Sequence, residues 1–234
     1  MFARPKGLTG VGTLYRARLW RIVSWPQNEK MQLTAPARWS AAALLGVIPT
    51  ESKQVERPGG RIVFVNDSLP CLDLLEATPA ILRGLMSEIS EEDSRWKPAE
   101  DRFSIAEVLS HLSHSEGHCY RARVDRFLSE EMPEFEPDDA QMHLAVYKNA
   151  DRDEDFGRFE DQRETNIELL RRLPAEAGNR KALHRAVGEI TLSQMLHEWA
   201  LHDLGHIRQV AELVRARKYL AGAGPLAEDY KLKP

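Results

Sequence analysis

Beyond residue 66, apolar residues recur at helical spacing; before it they do not. Ile81, Leu82, Leu85, Met86 and Ile89 return every three or four positions, the period that lines one face of an α-helix. Thr78 followed by Pro79 reads as the start of that helix: threonine caps a free N–H, and proline, lacking one, suits the first turn. Leu69 to Glu76 leaves room for an earlier turn or two. A second helix opens at the capping box Ser104-Ile-Ala-Glu107 and runs to about Ser129, where Pro133 and Pro137 stop it. A third spans about Asp153 to Leu173, with Phe156, Phe159, Ile167 and Leu170 on its apolar side. The fourth starts at a second capping box, Thr191-Leu-Ser-Gln194, and continues to about Lys218, short of Gly222 and Gly224. Strand signals are almost absent after residue 66. Four helices over about 150 residues predict an all-α domain over residues 67–220, an antiparallel four-helix bundle, followed by a tail over 221–234. Leu82, Leu109, Leu112, Phe159, Ile167, Leu170, Trp199 and Leu213 are its expected core.

Residues 1–66 read differently. Their apolar residues keep no period, Pro26, Pro36, Pro49, Pro58 and Gly59-Gly60 interrupt them, and only Arg61 to Val65 looks like a strand. They carry ten Lys and Arg against three Asp and Glu, a net of +7, which leaves −11 of the total of −4 for the rest. This segment is expected to be a weakly ordered extension outside the bundle, and no secretory pattern is read in it.

The overall charge of −4 sets aside a generally basic nucleic-acid binder, and no apolar run approaches the roughly 18 residues of a membrane span. Cys71 and Cys119 are the only cysteines, so neither a disulfide framework nor a CxxC zinc motif exists. A cytoplasmic location follows as the expectation, with Cys119 a quiet, buried thiol. Bundles of this size often dimerise, but no interface signal stands out, and a homodimer is left open.

The chemistry lies in polar residues on apolar faces. On the fourth helix Leu192, Met195, Leu196, Trp199, Val210, Leu213 and Val214 form a stripe roughly 100° wide. Asp203 and His206 fall inside it and His202 at its edge, although unpartnered polar groups in a core cost about 2–7 kcal/mol. His202 and His206, four apart, project from one face, as two imidazoles on one metal ion must. The spacing alone fits two structural histidines equally well; the core-facing position favours a metal. A third ligand from the second helix has three candidates. His111 sits at the edge of that helix's stripe, His118 only slightly further out, and His114 points furthest outward. Glu116 lies within the stripe, where a carboxylate is either paired or functional. Arg163, on the inner side of the third helix, is a candidate structural partner for it.

Trp96-Lys-Pro98, Phe103-Ser-Ile-Ala-Glu-Val-Leu-Ser-His-Leu112, Glu116 and His202-Asp-Leu-Gly-His-Ile-Arg-Gln-Val210 together resemble the DinB-like superfamily of damage-inducible, metal-binding four-helix bundles. The resemblance covers about residues 68–218 and leaves 1–66 unexplained. It implies a bundle of that type and a divalent metal held by His111, His202 and His206. Relatives include transferases and isomerases that use low-molecular-weight thiols, as well as metal-dependent hydrolases. Thiol transfer is therefore the leading expectation, with a small-molecule substrate and a low-molecular-weight thiol as cosubstrate. Hydrolysis, with Glu116 or Asp203 as the catalytic proton carrier, is the alternative. A bundle that binds a metal or ligand without catalysis is the third reading. Nickel, zinc, iron and manganese all accept imidazole, so the ligands do not choose the ion.

Overall fold

The computed structural model describes residues 53–56, 62–65, 68–137, 147 and 149–230, all of them in the unit Ser52–Lys231. Strands β1 (Lys53–Glu56) and β2 (Ile62–Val65) pair antiparallel, Lys53 opposite Val65. The rest of the expectation for residues 1–66, and the end of the 221–234 tail, lie outside the described residues.

Helix α1 spans Leu72–Met86 and corrects the expected start at Thr78. Cys71 precedes it in the left-handed conformation at φ 67, so Thr78 and Pro79 lie in the helix interior. A proline there cannot donate to the carbonyl four residues back and normally breaks the helix. Here that carbonyl, Leu75 O, accepts instead from Arg163 Nη1 at 2.6 Å. Thr78 Oγ1 lies 3.0 Å from Leu74 O of its own helix. A buried guanidinium thus replaces the bond that proline removes.

Helix α2 is α-helical over Ile105–His114, π-helical over Ser115–Arg121 and α-helical again over Ala122–Ser129. Both arms of the Ser104–Glu107 capping box form. Helix α3 (Arg152–Arg171) is capped by Asp151, whose Oδ1 accepts from the amides of Asp153 and Glu154. Helix α4 (Leu192–Val214) opens at the Thr191–Gln194 box and passes into a π-helical turn, Arg215–Tyr219. A 3-10 stretch, Ala221–Tyr230, follows with a kink at Gly224, so the first part of the expected tail is helical.

The helices are joined by more strand than the sequence suggested. Strand β3 (Glu134–Phe135) runs parallel to β4 (Lys181–His184), which pairs antiparallel with β5 (Gly188–Thr191). Gly188, at φ 90, makes the tight return between β4 and β5. Because Thr191 ends β5 and caps α4, the hairpin fixes where α4 starts.

Helices α1 and α2 each pack along α3 and α4. The eight residues expected in the core are all buried. The core divides in two. Leu72, Leu75, Tyr120, Val124, Phe127, Ile167, Leu170, Leu196 and Trp199 belong to one part; Leu82, Val108, Leu109, Leu112, Phe159, Val210 and Leu213 belong to the other. Each helix places buried polar residues between its contributions to the two parts, Thr78, Glu116, Arg163 and Asp203 among them. A polar layer therefore crosses the middle of the bundle.

Candidate metal centre

His111 is carried by the last α-helical turn of α2, just before the backbone widens into the π stretch, a distortion common at functional sites. His202 and His206 stand one turn apart on α4. One nitrogen from each of the three rings lies within 4.8 Å of the others, and all three residues are half-buried. His111 Nε2 is 2.9 Å from His202 Nε2.

The outward nitrogens show how the rings are aimed. His111 Nδ1 meets the hydroxyl of Tyr147 at 2.8 Å. His206 Nδ1 donates to Gln209 Oε1 at 3.0 Å, which leaves the Nε2 lone pair facing inward. Burial, reinforced by neighbouring His202 and opposed by Gln209 and Asp203, holds His206 well below the ordinary imidazole range, at about 3. A neutral ring is the form that binds a metal. His202 Nδ1 is buried and makes no hydrogen bond; its nearest carboxylate oxygen, Asp203 Oδ1, is 3.9 Å away. These features fit a divalent ion. Nitrogens at about 2.0–2.1 Å from a common ion lie about 3 Å apart, close to the Nε2–Nε2 separation seen here. Two inward lone pairs at that distance repel unless a proton or a cation lies between them.

Tyr147, itself buried, joins this cluster to a cavity of about 170 Å³ that it lines with Lys97, Arg102, Phe103 and Glu107. Phe103 packs edge-on against Tyr147, with ring centroids 5.0 Å apart, and lies flat to His111 at 6.5 Å.

The two carboxylates expected to carry a proton occupy the polar layer. Arg163 Nε and Nη2 donate to the two oxygens of Glu116 at 2.8 Å each. Its Nη1 and Nη2 reach Asp203 at 2.6 and 3.2 Å. Asn166 Nδ2 adds a bond to Glu116, and Thr78 Oγ1 one to Asp203. The guanidinium also faces the rings of Phe159 and Trp199 at 4.8 and 5.3 Å. Burial raises the Asp203 carboxyl, but Arg163 and the hydrogen bonds to it outweigh burial and bring it to about 2. For Glu116, where a structural and a catalytic reading both stood open, the side chain is spent on Arg163 and Asn166.

The remaining histidines of α2 are placed differently from the helical wheel. His118 is exposed and His114 half-buried, the reverse of the expected order, because the π stretch widens the turn after His114. Their rings stack at 4.3 Å, and His118 Nδ1 contacts His114 O. Cys119, expected to be buried, is half-buried. Sequence reading missed Tyr147 and Gln209. Gln209 had a signal, since it lies three residues after His206 on the same helix; Tyr147 had none, since no periodic pattern surrounds it.

The sequence profile of the DinB superfamily matches residues 74–210, more than half of the chain. A search of the curated proteins found no match. Among solved structures, YfiT from Bacillus subtilis, described as "a probable metal-dependent hydrolase with an unusual four-helix bundle topology", is similar with a TM-score of 0.56 and 24% identity. The similarity covers 66% of this chain and 93% of that one, and at this identity it speaks for the fold. With four helices around three convergent histidines, and the family match spanning all of them, this chain belongs to the DinB superfamily.

Proposed function

We propose that this protein is a divalent-metal-dependent enzyme acting on a small molecule, with His111, His202 and His206 as its ligands. The observation that carries the reading is the approach of three imidazole nitrogens to within 4.8 Å from two different helices. Three neutral protein ligands leave coordination positions for a nucleophile, as catalytic rather than structural sites do. The ion, when bound, supplies a Lewis acid that lowers the pKa of a thiol or water held on it. The protein's part is orientation. Tyr147 and Gln209 hold the Nδ1 side of His111 and His206, so that both rings present Nε2. Among the described residues no carboxylate joins the set, so part of the ion's positive charge is left for an anionic nucleophile. Phe103 and Tyr147, between His111 and the adjoining cavity, are positioned to meet the substrate.

Thiol transfer leads, with a low-molecular-weight thiol as cosubstrate. Hydrolysis is the second reading, favoured by the description of YfiT. A cytoplasmic setting and an absence of nucleic-acid or membrane partners belong to the same proposal; no helix among the described residues is long and apolar enough to cross a membrane. The test begins with metal content after purification, followed by reloading with nickel, zinc, iron or manganese. Each loaded form is then assayed for thiol-dependent consumption of a generic electrophile and for hydrolysis of amides and esters. Thiol dependence supports transfer, and turnover without thiol supports hydrolysis. Stoichiometric metal with neither activity would replace the enzyme by a binding module.

A further inference from the structure

We propose that Asp203 is the positioning residue of the metal centre: its Oδ1 takes the Nδ1–H of His202, and Arg163 holds Asp203 in the place from which it can do so. This rests on the metal-binding reading above and extends it to the polar layer.

Three observations converge. First, His202 is the only one of the three ligands whose outer nitrogen lacks a hydrogen bond, and that nitrogen is buried. A ligating imidazole almost always gives its second N–H to an acceptor, which fixes its orientation. Second, the nearest carboxylate oxygen to it is Asp203 Oδ1 at 3.9 Å, about 1 Å beyond an ordinary hydrogen bond. Third, the two oxygens of Asp203 are unequally used. Oδ2 accepts from Thr78 at 2.7 Å and Arg163 Nη1 at 2.6 Å, whereas Oδ1 accepts only from Arg163 Nη2 at 3.2 Å. Oδ1 thus keeps acceptor capacity on the oxygen nearer His202. Accepting His202 at Oδ1 breaks no bond to Oδ2.

The charges point the same way. One guanidinium faces two carboxylates, a formal excess of one negative charge inside the bundle. Three neutral ligands alone would leave a divalent ion uncompensated, and the nearer carboxylate is Asp203. Helices α1 and α3 supply no ligand, yet they reach the centre through this residue, by Thr78 and Arg163 respectively.

The experiment titrates Co(II) into the full-length, metal-free protein, following the visible absorption of the bound ion and the paramagnetically shifted proton spectrum. In the wild type, the ring N–H of His202 should give a shifted signal that exchanges slowly with water. Asp203→Asn, which keeps the shape and removes the charge, should weaken Co(II) binding about 10–100-fold and speed exchange of that one signal. Glu116→Gln perturbs Arg163 equally directly but does not touch His202, so its Co(II) affinity should stay within about threefold of wild type. Unchanged Co(II) affinity in Asp203→Asn, or equal losses in the two variants, would overturn the proposal. Should Asp203→Asn not fold, fast exchange of the His202 ring proton in the wild type would overturn it by itself. A wild type that takes up no Co(II) would instead remove the metal site, and this proposal with it.

Discussion

Two clusters of polar side chains share helices α2 and α4, and they are built in opposite ways. Around Arg163, both oxygens of Glu116 and both of Asp203 are occupied, and Leu75 O, Thr78 and Asn166 complete the set. Around His111, His202 and His206 the outer nitrogens of two rings are held, while nitrogens crowd together on the inner side. The first cluster is almost wholly buried and the second half-buried. A polar layer whose bonds are met almost entirely from within specifies how four helices meet; only Asp203 Oδ1 keeps room for one more donor. Imidazole nitrogens gathered from two helices are a site suited to an electrophile. The difference teaches that burial of a charged residue does not by itself mark chemistry; unspent hydrogen-bonding capacity does.

The largest expected effect comes from cutting the saturated cluster. Arg163→Met leaves two carboxylates buried without a counter-charge and frees Leu75 O, which Pro79 cannot serve. Urea unfolding should show a loss of about 3–5 kcal/mol. Glu116→Gln, which keeps its shape and part of its bonding, should lose less. A loss below about 1 kcal/mol for Arg163→Met would mean that solvent reaches the layer, and the contrast between the clusters would fail.

Cutting the open cluster should show the reverse pattern. His202→Ala and His206→Ala should abolish metal uptake while leaving the unfolding free energy of the metal-free protein within about 1 kcal/mol. What disappears is the stabilisation by metal, about 2.7 kcal/mol at a hundredfold excess over the dissociation constant, read as the drop in Tm on adding a chelator. Full metal occupancy in the double variant would disprove the site.

Both clusters were partly legible in the sequence, for reasons that differ by residue. The HxxxH pair, the two capping boxes and the inward leucines depend on spacing within one helix, and spacing is what sequence displays. Asp203 and Glu116 stood out as charges on apolar stripes, but their common partner on α3 becomes certain only when helices pack. Thr78-Pro79 misled because it carries a helix-start signal, and what permits proline inside the helix is Arg163, distant in sequence. The β4–β5 hairpin was invisible because four-residue strands such as Lys181 to His184 hold too few alternations to register. Tyr147 reaches His111 from a stretch with no period at all.

The clusters should also respond differently to acid. His206 is held at about 3 in the folded, metal-free protein, against about 6.5 when unfolded. Between those values the unfolded chain binds the extra proton, so stability is full above 6.5 and falls as the pH drops toward 3. Asp203, brought to about 2 against an unfolded value near 3.9, contributes stability that is lost only in more acid solution, as the pH falls through 3.9 toward 2. Measured on the metal-free protein, the dependence of unfolding free energy on pH from 6 to 4 should therefore become shallower by up to one proton in His206→Asn. An unchanged slope would show that His206 titrates normally.

The smallest expected effect is at His118, and it is informative because on the helical wheel that residue is nearly equivalent to His111. Were α2 regular throughout, His118 would lie close to the face that carries His111. The π stretch from Ser115 to Arg121 widens the turn and swings it into solvent, where its ring stacks on His114 and its Nδ1 rests near that residue's carbonyl. His118→Ala should accordingly change stability by no more than about 0.5 kcal/mol and leave metal uptake intact. His111→Ala should abolish metal uptake. Equal losses of metal in the two variants would mean that the third ligand comes from about two turns further along α2 and that the backbone there is regular.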